Sequence, residues 1–557
     1  MKPNREFLGH PIGLVTLFFT EMWERMSYYG MRALLVLFMT DQINRGGMGL
    51  SDEKATAIYG IYTAFVYLVA LPGGWVADKF IGAQKAILYG GIIIMCGHFV
   101  LAIPTTNSFF IGLLLVVIGT GLLKPNISAI LGDLYLPGDP KRDSGFSIFY
   151  MGINIGGMLG PLICGYLAQN ESFGWHYGFA FAGIGMLFGV VQFWRTKSYL
   201  GDAGKEPQAI SRNQKWGFII FSLILLILSA SFLLLFQSNM HMFNFVKFSE
   251  ITTYLILFAT ISFFVYVLYF YGLDKSQFDR VLVIIFLFLG AAVFWSGFEQ
   301  AGSSLNLFAS RYTQLEFTWF TIYSSWFQSV NSIFIILFAP VFAYLWVILA
   351  KKNLDPTIPT KFAAGLLFLA MGFLMMMFAS MIVAGGEKAM PTWLLMTYLF
   401  HTFGELALSP VGLSAITKLS PKKLMGQMMG MWFVASALGN LIAGQIAGEF
   451  KEISSFPGQY LNIVIILSIT GMAFLLMSKK LQKLIDGDQS QSDPINLTGA
   501  PRNLKFRLSV QLNILIVLLL TITLLLVVIE FSGRDPDILI FNEINQENNT
   551  NINQQIN

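Results

Sequence analysis

Long apolar runs separated by short polar stretches organise this chain. A helix needs about 20 mostly apolar residues to cross a bilayer core. Fifteen segments fit: 12–38, 56–77, 86–104, 109–132, 145–169, 178–194, 217–236, 251–271, 281–308, 318–349, 362–384, 391–417, 424–448, 459–478 and 509–529. The pattern predicts an all-α polytopic membrane protein. The segment starting at Pro11 carries Glu21, Glu24, Arg25 and Arg32 and no small-residue cleavage site. It reads as a retained first span, not a cleaved signal. Segments 217–236, 251–271 and 509–529 carry no charge and read as lipid-facing around most of their circumference. The other twelve divide six and six about the basic stretch 195–215. The expected domains are a first bundle (1–194), a linker with two inserted lateral helices (195–280), a second bundle (281–482), and a last part (483–557) with the extra span and a polar Asn/Gln-rich tail that reads as disordered.

Charge fixes a direction. With the N-terminus in the cytoplasm and the spans alternating, 25 of the 35 Lys and Arg fall on the cytoplasmic side and 7 outside. Arg25, Arg32 and Lys124 lie inside spans. This is the asymmetry of the positive-inside rule. The fifteenth span would put the C-terminus outside. Composition agrees: 55% of residues are hydrophobic, 12% are charged, and mean hydropathy is +0.65. An ordinary soluble domain, a disordered chain, a collagen and a basic nucleic-acid binder are excluded. Cys96 and Cys164 both lie in apolar runs and read as buried small residues, and the five His show no ligand spacing, so no metal site or cofactor is expected.

Seven charges sit well inside spans: Glu21, Glu24, Arg25, Arg32, Lys124, Glu299 and Glu405. Each costs about 2.5–3.5 kcal/mol on insertion scales, so they must face one another or a wet cavity. The first half holds three positive and two negative charges, the second half two negatives. A cavity between the halves would be positive on one wall and negative on the other, which suits a zwitterion. Buried carboxylates beside basic groups also suit a proton relay. Glu21, Arg25, Tyr28, Tyr29 and Arg32 share one helical face. Glu21 and Arg25 are an i,i+4 pair, and Glu24 reaches the same cluster. The competing reading is that these charges only hold helices together. Tyr67 and Tyr150 read equally well as packing, and His401, one turn before Glu405, reads better as packing than as a relay. Gly297, Gly302, Gly404 and Pro410 mark expected bends beside Glu299 and Glu405. Residues 74–82 are expected to form a loop that locks neighbouring helices.

Two six-helix halves are the layout of a major-facilitator transporter, with the site between them near the midplane. Particular motifs narrow this. EMWERMSYYG (21–30), GTGLLKPNIS (119–128), FSIFYMGINIGGMLGP (146–161), FWSGFEQAGSSL (294–305) and FGELALSPVGLS (403–414) follow in order. They resemble the signatures of the proton-coupled oligopeptide transporter family, POT or PTR2, from about residue 8 to 482. The resemblance implies twelve core helices, two inserted helices and a bacterial inner-membrane location. It implies that Glu21, Glu24 and Arg25 couple protons to peptide movement, with Lys124 and Glu299 as further proton-coupling groups. Arg25, Arg32 and Lys124 would face the peptide carboxylate and Glu405 its amino end. Tyr28, Tyr29, Tyr67, Tyr150, Asn154, Asn331, Ser409 and Trp432 would touch peptide.

Three departures stand out. Met26 replaces a common Phe, Gly157 replaces a common Ser, and no His lies in the second span, so protonation rests on carboxylates. The expected function is a proton-coupled symporter importing di- and tripeptides by alternating access. Its partners would be peptides, protons and lipid; a monomer is compatible with the sequence, which does not fix the oligomeric state. The nearest alternative carries nitrate or a drug-like anion on the same fold. A non-transporting receptor has no use for the intact charge set. No nucleophile–base pair or phosphate loop suggests an enzyme.

Overall fold

The computed structural model describes residues 6–7, 9–136, 139, 141–205 and 243–486. The expected spans 217–236 and 509–529 and the tail lie outside the described residues. Described residues up to 205 and from Ile256 onward form one compact unit; residues 243–255 fall in a second.

The first half comprises α1 (Gly13–Thr40), α2 (Asp52–Leu68), α3 (Ala70–Val76), α4 (Ala83–Leu101), α5 (Thr106–Asp133), α6 (Lys141–Gln169) and α7 (Trp175–Thr196). Then follow α8 (Phe245–Phe270), α9 (Lys275–Phe298), α10 (Ser304–Tyr312), α11 (Phe327–Lys351), α12 (Ile358–Ala384), α13 (Pro391–Leu419), α14 (Met425–Gly448) and α15 (Phe456–Asp486). Twelve helical segments among the described residues are long and apolar enough to cross a membrane. α1 stands beside them: it is 28 residues long, carries four charges, and is buried along most of its length. It packs on α6 and α7, so its charges face protein. This is the architecture of the major-facilitator fold.

α8 is the charge-free lateral helix expected at 251–271. Tyr254, Phe258, Tyr269 and Phe270 are exposed, while Ile256, Phe264 and Val267 pack into the core of the second bundle. Cys164 is buried as expected, but Cys96 is exposed on α4, because its side of the helix does not meet a neighbour.

Of the two expected bends, one forms and one does not. The chain breaks beside Glu299, where α9 gives way to a tight turn over Glu299–Gly302 before α10. α13 does not break: Pro410 sits inside one continuous helix. Gly404 serves packing instead, since a Cβ there would come 2.7 Å from the Gly365 carbonyl of α12. Residues 74–82 are also more helical than a loop. α3 runs on into a wide turn, Ala77–Ile81, that ends at Gly82 with φ 78°.

The halves meet where α2 lies on α14 and α6 on α11. A Cβ at Gly60 would sit 3.0 Å from the Asn440 carbonyl oxygen and 3.2 Å from the Gly444 Cα, so α2 and α14 touch backbone to backbone. Gly157 of α6 makes room for a side chain of α11: a Cβ there would lie 2.5 Å from Ser332 Oγ. Gly60→Leu is expected to wedge the halves apart at a cost of about 1–3 kcal/mol. Thermal unfolding in detergent checks this; an unchanged melting temperature would contradict the close packing.

Candidate functional site

Span 1 places its charges by helical spacing, and the structure divides them into two groups. In the first, Arg25 Nε donates to Glu21 Oε1 at 2.8 Å, and Glu24 Oε2 lies 2.6 Å from the same Nε. All three side chains are buried. The Nε–H is directed at Glu21, and the contact with Glu24 is an ion pair without a hydrogen bond. Both Glu24 oxygens and Glu21 Oε2 are left with no hydrogen-bond partner among the described residues. The trio carries one positive and two negative charges, so a single proton would balance it. Arg25 also lies over the Tyr28 ring at 5.5 Å.

The second group joins the halves. Arg32 Nη2 donates to Glu299 Oε2 at 2.6 Å, and its Nε donates to Tyr59 Oη at 2.6 Å. Arg32 is 7% exposed and Glu299 2%, so this pair is desolvated. Tyr59 fits because Gly302, in the broken turn beside Glu299, has no side chain: a Cβ there would strike the Tyr59 ring.

Beside this pair lies a cavity of about 90 Å³ between the halves. Of the residues expected to form the site, Tyr29, Arg32, Tyr67, Glu299, Asn331 and Glu405 line it. Asn331 Nδ2 donates to Glu405 Oε2 at 3.0 Å and to Thr402 Oγ1 at 3.1 Å, which fixes the Glu405 carboxylate. The guanidinium of Arg32 is 5.7 Å from the Tyr29 ring centroid. Thus one wall carries Arg32 paired with Glu299, and another carries Glu405 held by a neutral amide.

Other expected residues stand apart from this lining. Lys124 makes no ion pair among the described residues; its Nζ lies 4.1 Å over the face of Tyr67, a cavity residue. Tyr28 stacks on Tyr62 at 6.5 Å. Asn154 turns back to its own helix, donating to the Tyr150 carbonyl at 2.9 Å, and Tyr150 keeps an exposed ring. Ser409 lies half-buried on α13. Trp432 is buried in the second bundle's core against Phe362, 6.4 Å between centroids.

Several cavity residues were not expected from sequence: Trp295, Phe298, Gln328, Ser332 and Tyr398. Helical spacing was the available signal. Trp295 is one turn before Glu299, Gln328 one turn before Asn331, and Tyr59 lies two turns before Tyr67 on α2. His401 packs as expected, among Phe373, Phe298 and Tyr398, with the Phe373 ring centroid 4.9 Å away.

Polar contacts between the halves collect toward the end that carries Asp52 and Arg311. Arg311 binds Asp52 through both terminal nitrogens, at 2.5 and 2.7 Å. Lys451 reaches Glu53 at 3.3 Å, and Asn306 donates to the Ala33 carbonyl at 2.9 Å. A seam of neutral hydrogen bonds joins α6 to α11. Ser329 donates to the Met158 carbonyl, Trp326 to the Leu162 carbonyl, and Gln169 pairs with Ser324 and Ser325. Toward the opposite end, among the described residues, the ion pairs Lys141–Glu6, Lys205–Asp202 and Lys361–Asp355 each stay within one half. The Asp52–Arg311 pair is partly exposed, so Asp52→Asn alone is expected to cost no more than about 1 kcal/mol, read as a small shift in thermal unfolding.

The chain is similar to known transporters. The model described as PTR2, POT family, matches residues 84–463. The peptide transporter YePEPT of Yersinia enterocolitica subsp. palearctica is 42% identical over 506 residues, covering 88% of this chain and 98% of that one. The di-/tripeptide transporter of Lactococcus lactis subsp. cremoris is 36% identical over 496 residues, covering 87% and 98%. A crystal structure of a peptide transporter POT in complex with sulfate superposes with TM-score 0.80 at 40% identity, covering 87% of this chain and 98% of that one.

Proposed function

The chain belongs to the POT family, and from that premise we propose that it is a proton-coupled symporter importing di- and tripeptides by alternating access. It is a multi-pass membrane transporter, assigned here to the bacterial inner membrane with its N-terminus in the cytoplasm. The observation that carries the reading is the cavity between the halves, with the Arg32–Glu299 pair on one wall and Glu405 on another. Opposite charges held apart in a water-excluding site suit the two termini of a short peptide. The carboxylate would lie toward the arginine side, with Arg25 and Lys124 adding positive potential, and the amino end toward Glu405.

With the N-terminus inside, the end bearing Asp52 and Arg311 is the outer end. The cross-half contacts collected there would hold that end shut, as an inward-facing state requires. In the proposed cycle, protonation of Glu299 releases Arg32, and the outer clasp opens. The Glu21–Glu24–Arg25 trio takes up a proton beside it and couples its passage to the turn of the halves. Tyr29, Tyr67 and Asn331 would contact the peptide from the cavity wall. Tyr28, Tyr150, Asn154, Ser409 and Trp432 would act around it as the halves move.

The test is uptake of labelled dialanine into proteoliposomes, inside alkaline and negative, with and without a protonophore. Accumulation that collapses with the protonophore is expected. Folded protein that accumulates no peptide but takes up nitrate or another small anion would overturn the cargo. Glu405→Gln is expected to lose concentrative uptake while retaining some counterflow. Full accumulation by that variant would remove Glu405 from the mechanism.

A further inference from the structure

A row of aromatic rings crosses the junction of the two halves at the outer end. Ring centroids follow one another from Tyr177 to Phe173 at 5.8 Å, from Phe173 to Tyr166 at 6.5 Å, from Tyr166 to Tyr323 at 5.6 Å, and from Tyr323 to Trp326 at 5.2 Å. The first three belong to α6, α7 and the turn between them, and the last two lead into α11. Tyr166, Phe173 and Tyr177 are exposed, while Tyr323 and Trp326 are half-buried. None of the five is among the residues that line the cavity between the halves.

The row continues the lipid-facing surface of the spans. Tyr177, Ile184 and Phe188 are all exposed, and their spacing puts them on one face of α7. Exposed apolar side chains midway along a span meet acyl chains. Tyr177 stands at the outer end of that face, in the first turn of the helix. Aromatic rings with a polar tip settle at this depth, where acyl chains give way to headgroups. The hairpin that leads into Tyr323 adds exposed Trp319 and Phe320.

The polar tips define the headgroup. The Asn170 amide donates to Tyr323 Oη at 3.2 Å, so that hydroxyl keeps its own hydrogen for another acceptor. Tyr166 and Tyr177 bring further hydroxyls. The Trp326 indole is already used, donating to the Leu162 carbonyl at 3.0 Å, and serves only as a ring. A phosphodiester supplies the missing acceptors at this depth. No Lys or Arg lies in 166–177 or 319–326, whereas Glu171 is exposed in the turn before Phe173. A headgroup of net negative charge finds nothing there to neutralise it, and a zwitterionic one needs nothing. We infer that the row seats a zwitterionic phospholipid of the outer leaflet, its phosphate taking hydrogen bonds from Tyr166 and Tyr323. Tyr166 belongs to one half and Tyr323 to the other, so the lipid bridges the halves at this end.

The test is titration of phospholipid into the delipidated full-length protein, with the tightest binding step read by native mass spectrometry; it needs no transported substrate. Phosphatidylethanolamine is expected to bind more tightly than phosphatidylglycerol. Tyr166→Phe/Tyr323→Phe keeps both rings and removes two hydroxyls. It should weaken phosphatidylethanolamine binding about tenfold, the worth of one or two net hydrogen bonds. Tyr269→Phe, at an exposed tyrosine of α8 outside the row, should bind like the unmutated protein. Unchanged binding by the double variant would overturn the seat, as would an equal loss in Tyr269→Phe. Tighter binding of phosphatidylglycerol would overturn the zwitterionic assignment. A bimane label on Tyr177→Cys, with exposed Cys96 changed to Ser, checks the place in liposomes. A nitroxide on the lipid headgroup should quench it more than one deep in the acyl chain. Quenching by aqueous iodide with none by either nitroxide would overturn the lipid partner and leave the row as a surface for a soluble protein.

Discussion

Arg32→Met is expected to destabilise the protein by about 3–5 kcal/mol, because it strands the Glu299 carboxylate in a site stripped of water. Arg32 holds Glu299 and Tyr59 through separate nitrogens, each at 2.6 Å, and no other cation pairs with Glu299 among the described residues. The double variant Arg32→Met/Glu299→Leu should recover most of that loss, since apolar residues of similar volume often substitute for a buried pair without cost. Transport should not recover, because no group is left to take a proton or face a carboxylate there. Thermal unfolding in detergent and dialanine uptake would be measured side by side. A double variant as unstable as the single would mean that packing, and not the pair, is what the single variant damages. A double variant that accumulates peptide would remove the pair from the mechanism.

The second large effect concerns the buried trio on α1. Glu24→Gln fixes the trio in the charge state that a bound proton would give it, one acid against Arg25. The inside-alkaline gradient should then no longer drive accumulation. Coupling free energies of this kind are typically worth a factor of about 5–150, and accumulation is expected to fall within that range. Counterflow of peptide should persist, since it needs reorientation but no proton gradient. Glu24 is the better choice than Glu21, because Glu21 Oε1 receives the single hydrogen of Arg25 Nε while both Glu24 oxygens lack a hydrogen-bond partner. Undiminished accumulation by Glu24→Gln would show that the gradient acts elsewhere.

The charged part of the site was legible because a charge in an apolar run is conspicuous and expensive. Glu21, Arg25, Arg32, Glu299 and Glu405 could be singled out on that ground alone, and their signs suggested two unlike walls. The partners of those charges were harder to see. Tyr59 and Asn331 are unremarkable letters in helices, and only the crossing of α2 and α11 past Arg32 and Glu405 gives them their roles. Trp295, Gln328 and Tyr398 were missed for the same reason: their neighbours come from other helices. Bends were read less well. Glycine beside Glu299 does accompany a break, but Gly404 serves close packing and Pro410 is carried within α13, where packing on α12 and α14 outweighs the lost hydrogen bond. The exposure of Cys96 was not legible, because in a helix apolar on all sides hydropathy does not say which side meets lipid.

The neutral seam between α6 and α11 bears on how the protein responds to cold. Its bonds run from serine hydroxyls, an indole and a glutamine to main-chain carbonyls and one another, and salt does not screen them as it screens exposed ions. Parting the seam breaks several such bonds together, each large in enthalpy before water replaces it. The rate at which the carrier turns outward should therefore fall steeply on cooling and respond little to ionic strength. Peptide discharge from the end that lacks these ties should be far less sensitive to temperature. Cooling would then slow this carrier by trapping it facing the cytoplasm, a thermal bias written into a row of uncharged side chains.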